Sequence, residues 1–233
     1  MIGKRLKCLL LSRKVIFTLL IITISILSFQ VLAEDVHHGH AIKTPPTGPF
    51  VVSSDKPFET LMDEAMAIMH KDMEQASRNG DPDHDFVSMM IPHHQGAIDM
   101  AKVLLLYGKN AELRNLGKGI ITAQENEIKI MQEWLRKYKP EKPLKSEPFA
   151  ALMEKADIAM HSGMEQAPRN GDPDHDFVTM MIPHHQGATD MAQALLKYGK
   201  DPGLRKLAQQ IITEQQYEIQ LMQAWLKSYK SLK

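Results

Sequence analysis

HDFVSMMIPHHQGAIDMA at 84–101 returns as HDFVTMMIPHHQGATDMA at 175–192, an offset of 91 residues. Each copy sets Met-Met and His-His around one proline. Thioether and imidazole are soft or borderline donors, and without cysteine they suit monovalent copper in an oxidising compartment. The copies are long, apolar and bounded by turn signals, with no alternating β-branched run near them. They read as one helix repeated, and so as an all-α chain built from two similar units.

The flanking sequence extends the repeat. Asp81-Pro82-Asp83 opens the helix with an N-cap carboxylate, a proline at the first helical position and an acid at the positive end of the dipole. Tyr107-Gly108 closes it. An earlier helix is expected from Ser54-Asp55, with Pro57 in its first turn, to the residues before Asn79-Gly80. Its counterpart runs from Ser146, with Pro148, to before Asn170-Gly171. A third helix is capped by Asn110, or by Asp201 before Pro202, and reaches Tyr138 or Tyr229. Pro92 and Pro183 lie inside the central helices, lack an amide proton and clash with the preceding turn. Counting the two halves of each separately predicts four helical pieces per repeat. The repeats span 56–139 and 146–233, joined by the proline- and charge-rich Lys139–Lys145.

The chain has 233 residues, 16 Met, one Cys and a formal charge of zero from 28 basic and 28 acidic residues. Residues 1–33 read as an export signal. Lys4, Arg5, Lys7, Arg13 and Lys14 precede the apolar run from Val15, and Val31-Leu32-Ala33 offers small residues to a signal peptidase. Left uncleaved, Val15–Leu32 would be the one membrane anchor. The expected location is periplasmic or secreted. Without the signal, 23 basic face 28 acidic residues, a poor surface for nucleic acid. Cys8 lies within the signal, so the exported chain would carry no thiol. Residues 34–55 form a polar tail containing His37, His38 and His40, which could take divalent copper or zinc through imidazole and backbone nitrogen.

Helical spacing places the donors. Met62, Met66, Met69 and Met73 fall on one stripe of the first helix, with His70 at its edge. Met153, Met160 and Met164 repeat the stripe beside His161, and Asp157 replaces Met66. In the central helices Met89, His93 and Met100 share a face, with Met90 and His94 beside it. The second copies are Met180, Met181, His184, His185 and Met191. Ile120, Gln124, Glu127, Met131 and Leu135 line the third helix, matched by Ile211, Gln215, Glu218, Met222 and Leu226. A methionine stripe is usually core. Yet a well-specified core prefers Leu and Ile, and here Met stands beside His twice over. A bound metal would satisfy the inward imidazoles, with Gln124 or Glu127 accepting the remaining ring N–H. His84 and His175, in the acidic entry turns, read as solvated cap residues.

These residues resemble domain-of-unknown-function family 305. Its signature is the stretch Met89–Ala101 with an upstream Met-His helix (Met66/Met69-His70) and a downstream Gln-x-x-Glu-Ile-x-x-Met helix (Gln124…Met131). Met160-His161, Met180–Ala192 and Gln215…Met222 supply the second copy. The tandem arrangement is similar to an exported copper-binding member of that family. The resemblance implies two ferritin-like helical bundles, Cu(I) and Ag(I) bound through Met and His, a role in copper resistance and no catalysis. Metal ions are then the main partners, with a copper exporter or sensor protein to receive them. Two competing readings are a ferritin-like di-iron oxidase, which needs a Glu-x-x-His motif absent here, and a Met-rich groove for peptides.

Overall fold

The computed structural model describes residues 50–140 and 146–231; the expected signal, the tail histidines His37, His38 and His40, and most of the linker lie outside them. Six helices follow in order: α1 Phe58–Glu74, α2 Pro82–Tyr107, α3 Ala111–Lys137, α4 Glu147–Glu165, α5 Pro173–Tyr198 and α6 Pro202–Ser231. Each repeat thus supplies three helices. The expectation of four pieces is corrected, because α2 and α5 run unbroken through Pro92 and Pro183. A proline removes one amide from the ladder, and helices packed around it can hold the remainder in place. α1 starts at Phe58, later than Ser54-Asp55, and ends at Glu74, well short of Asn79.

The turns follow from short-range chemistry. Asp81 accepts from the Asp83 amide at 3.0 Å, and Asp85 accepts from the amides of Asn79 and Gly80 at 2.8 and 3.0 Å. Gly80 and Gly171 have φ of 86° and 81°, a region side chains disfavour. The Tyr138 hydroxyl donates to Asp81 at 3.0 Å, and Tyr229 does the same to Asp172.

α2 packs on α1, α3 and α5, while α5 packs on α4, α6 and α2. The two central helices run antiparallel, since the start of each meets the loop that follows the other. Asp83 accepts from the amides of Lys200 and Asp201, at 2.9 and 3.0 Å to Oδ2. Asp174 accepts from Lys109 and Asn110, at 3.0 and 2.9 Å. Gly108 and Gly199 permit this approach, because a side chain there would place Cβ 2.7 and 2.6 Å from the Asp174 and Asp83 carboxylates. Burial pushes the Asp83 carboxyl above its ordinary value. The apolar interior runs through both repeats as one core. Asp83→Ala removes the carboxylate acceptor from the part-buried Lys200 and Asp201 amides and should cost about 1–3 kcal/mol, read as a lower urea midpoint with an unchanged slope.

Candidate metal centre

His93 and His184 stand at equivalent positions on α2 and α5 and meet where the two helices face each other. Both are fully buried. Their ring centroids are 3.9 Å apart. His93 Nε2 lies 3.2 Å from the His184 carbonyl oxygen, and His184 Nε2 lies 3.2 Å from Met69 Sδ. Met69 belongs to α1, so a first-repeat sulfur faces a second-repeat imidazole. Glycines open the space: a Cβ at Gly96 would lie 2.4 Å from Met69 Sδ, and one at Gly187 would lie 3.1 Å from Met160 Sδ. Among the described residues, the Nδ1 atoms of both histidines have no hydrogen-bond partner. Burial, with the neighbouring imidazoles, holds both rings well below the ordinary histidine value. They are neutral, lone-pair-bearing and under-satisfied, which fits a soft cation.

Beside this pair, with ring centroids 5.9 Å from it, the donors are nitrogen and oxygen. His94 Nε2 lies 2.8 Å from Glu127 Oε2, off the line of a good hydrogen bond. His185 Nε2 pairs with Glu218 Oε2 at 2.7 Å. Burial and the adjacent His185 hold His94 down to about 3. Burial first, then the Glu218 charge, pushes Glu127 up to about 7. The amides of Gln124 and Gln215 are buried with neither atom bonded, as are the Nδ1 atoms of His94 and His185.

A third group lies nearer the surface. His70 Nδ1 and His161 Nε2 are 2.8 Å apart across the two repeats, and His161 Nε2 is 3.2 Å from Asp157 Oδ1. Burial alone would raise the Asp157 carboxyl, but the His161 hydrogen bond and the charges of His161 and His70 leave it lowered. His70 is exposed and Met66 is half-buried.

Met73, Met89, Met90, Met100, Met131, Met164, Met180, Met181, Met191 and Met222 are all buried within the core. His84 and His175 are not solvated caps, which corrects that expectation. They are bonded to Asp85 and Asp176 at 3.0 and 2.8 Å and lie tilted on Tyr138 and Tyr229 at 5.1 Å. Sequence periodicity missed the pairing of equivalent histidines across the repeats. The 91-residue offset was the available signal, since quasi-equivalent residues meet at a two-fold relation between copies.

Residues 83–226 match the model of the family described as domain of unknown function DUF305. The chain belongs to the DUF305 family. Among solved structures, CopM in the apo form is 34% identical, covering 63% of this chain and 97% of that one, with a TM-score of 0.48. CopM in the Cu(I)-bound form is 35% identical, with coverages of 63% and 96% and a TM-score of 0.48. A DUF305 fragment from Deinococcus radiodurans is 29% identical, with coverages of 66% and 98% and a TM-score of 0.47. No curated protein matches. Among the described residues, no helix of this DUF305 chain is long and apolar enough to cross a membrane. Nor do they contain a group of three or more His, Cys, Asp or Glu side chains placed to hold a metal.

Proposed function

We propose that this DUF305 protein is an exported, non-catalytic binder of soft monovalent metal, Cu(I) first and Ag(I) with it. It would sequester or carry the ion and so contribute to copper homeostasis and resistance. One observation carries the reading: His93 and His184 are fully buried, stripped of charge and left with an unbonded Nδ1 each, and His184 Nε2 lies 3.2 Å from the Met69 sulfur. A purely structural interior rarely leaves buried polar atoms unsatisfied, because each costs about 1–3 kcal/mol. The Cu(I)-bound and Ag-bound forms named for CopM indicate the ions to test.

The ligands we assign first are Met69, His93, Met160 and His184. Met66, His70 and His161 are assigned to the outer group. Met73, Met89, Met90, Met100, Met131, Met164, Met180, Met181, Met191 and Met222 form a polarizable surround. His94 and His185 are held by Glu127 and Glu218 as supports. His37, His38 and His40 are proposed as a capture cluster able to take Cu(II). We also propose domain limits of 56–139 and 146–233, each a ferritin-like half. Burial of nearly every methionine in the described set counts against an open Met-lined peptide groove. The lack of a carboxylate-rich cluster among the described residues counts against a di-iron oxidase.

Titration of the purified chain with Cu(I) against a competing chelator tests this. The expected result is tight uptake that falls at least tenfold when Met69 and His184 are both replaced by Leu, with helicity retained by circular dichroism. Undiminished uptake in that variant would remove the reading.

A further inference from the structure

We propose that the outward face of α6 is an interface to a second copy of this chain, joined about a two-fold axis that passes near Gln220. The interface forms with or without bound metal.

The tandem repeat supplies an internal control. α3 and α6 are equivalent helices of the two repeats, 91 residues apart. If both faced water, their outer sides would carry the same kinds of residue. On α3 the exposed side holds Lys118, Glu125, Asn126, Lys129 and Glu133. The same positions on α6 are Gln209, Gln216, Tyr217, Gln220 and Ala224, all exposed. Every charge of that set is gone, and an asparagine has become a tyrosine that is 60% exposed. The inward positions are kept, Gln124 and Glu127 returning as Gln215 and Glu218, so the change is confined to the outer side. Leu221, one turn beyond Tyr217, is 42% exposed. Its counterpart Ile130 is exposed too, but it is flanked by Lys129 and Glu133. A lone aliphatic among charges is ordinary surface, whereas a continuous uncharged stripe with an aromatic at its centre marks a contact face.

The chemistry of the stripe selects the occupant. At a two-fold axis a residue meets its own copy, and a charged residue would meet like charge. Side-chain amides both donate and accept, so Gln220 can bond Gln220. Antiparallel pairing of two α6 helices about that residue sets Gln216 of each copy against Ala224 of the other. It also brings each Tyr217 over the other copy's hollow of about 460 Å³, where Leu113 and Leu116 of α3 meet Leu221 and Trp225 of α6. An aromatic anchor over an apolar hollow is the usual centre of a tight contact. The exposed charges left at the rim, Glu214 and Lys227, then come opposite each other across the interface with opposite sign. A strongly acidic or basic partner would find no matching charges along the stripe itself.

The test is sedimentation equilibrium on the full chain between roughly 1 and 200 µM, the range in which a dimer of this kind dissociates. One variant writes the α3 surface onto α6 through Gln216→Glu, Tyr217→Asn, Gln220→Lys and Ala224→Glu. α3 already carries those residues in a folded helix, so circular dichroism and melting should match the parent. A second variant, Gln220→Lys alone, places two ammonium groups at the axis. The expected result is a reversible dimer whose dissociation constant rises at least tenfold in each variant. A parent that stays monomeric over the whole range would overturn the proposal. So would a dimer that both variants leave intact, because association would then be carried elsewhere, for example by the apolar run Val15–Leu32, which neither variant touches.

Discussion

Saturating Ag(I) is expected to raise the thermal midpoint of the chain by roughly 10 °C. An ion that binds only the folded state at about 1,000 times its dissociation constant stabilises by about 4 kcal/mol. For a domain of this size each kcal/mol moves the midpoint by about 2–4 °C. The unfolded chain is a poor competitor, because its thioethers and imidazoles are scattered over more than 100 residues of sequence, from Met69 to His184. Magnesium at the same concentration should give no shift, since a hard cation needs oxygen ligands. The shift should also shrink to within about 2 °C in a Met69→Leu/His184→Leu double variant, a bound taken from less than 1 kcal/mol of residual linkage. Differential scanning calorimetry with and without the ion supplies the measurement. An equal shift in the double variant would place the stabilising ion elsewhere in the chain.

The local features of the fold were legible because they rest on short-range rules. Asp81-Pro82-Asp83 announced a helix start, and Asp81 does cap the Asp83 amide. Tyr107-Gly108 announced its end, and α2 stops at Tyr107. Pro92 was misjudged for the same reason: its local cost was visible, while the support of α1, α3 and α5 around α2 was not. The inward faces of α2 and α3 were also legible, since periodicity assigns a side chain to a face of its own helix. Periodicity does not say which other helix that face meets. Hence His93 could be called buried, while its partner His184 could not be named. His84 and His175 were read as solvated from their acidic neighbours, yet the rings that cover them, Tyr138 and Tyr229, lie 54 residues further along the chain. Asp157 was visible as a departure from Met66, and its contact with His161 follows from i,i+4 spacing on one helix; the His70 ring beside His161 required the fold.

Acid should separate the buried centre from an ordinary histidine site. In water an imidazole titrates near 6.5, so at pH 5 only about 3% is neutral and metal affinity falls about 30-fold per histidine ligand. His93 and His184 behave otherwise, since burial holds both well below that value in the folded state. As pH falls from 7.5, protons therefore compete less for their lone pairs than for those of an exposed imidazole. Between pH 7.5 and 5, Ag(I) affinity of the folded chain should fall by less than about 30-fold per histidine ligand, the drop expected for an imidazole in water. Stability moves with a definite sign. A histidine whose folded value is depressed binds its proton in the unfolded chain first, so stability is lost as pH falls below 6.5. For His94, held at about 3, the loss at pH 5 is about 2 kcal/mol. Glu127, pushed up to about 7, acts in the opposite sense, because the folded state takes up its proton first, and it offsets a similar amount. His93 and His184, whose hydrogen-bond partners are a carbonyl and a thioether, add to the loss in the same direction as His94. Urea unfolding at pH 7.5 and 5, together with Ag(I) titration at each, measures both. A 1,000-fold drop in affinity on acidification, with no loss of stability, would mean that the ion sits on exposed histidines instead.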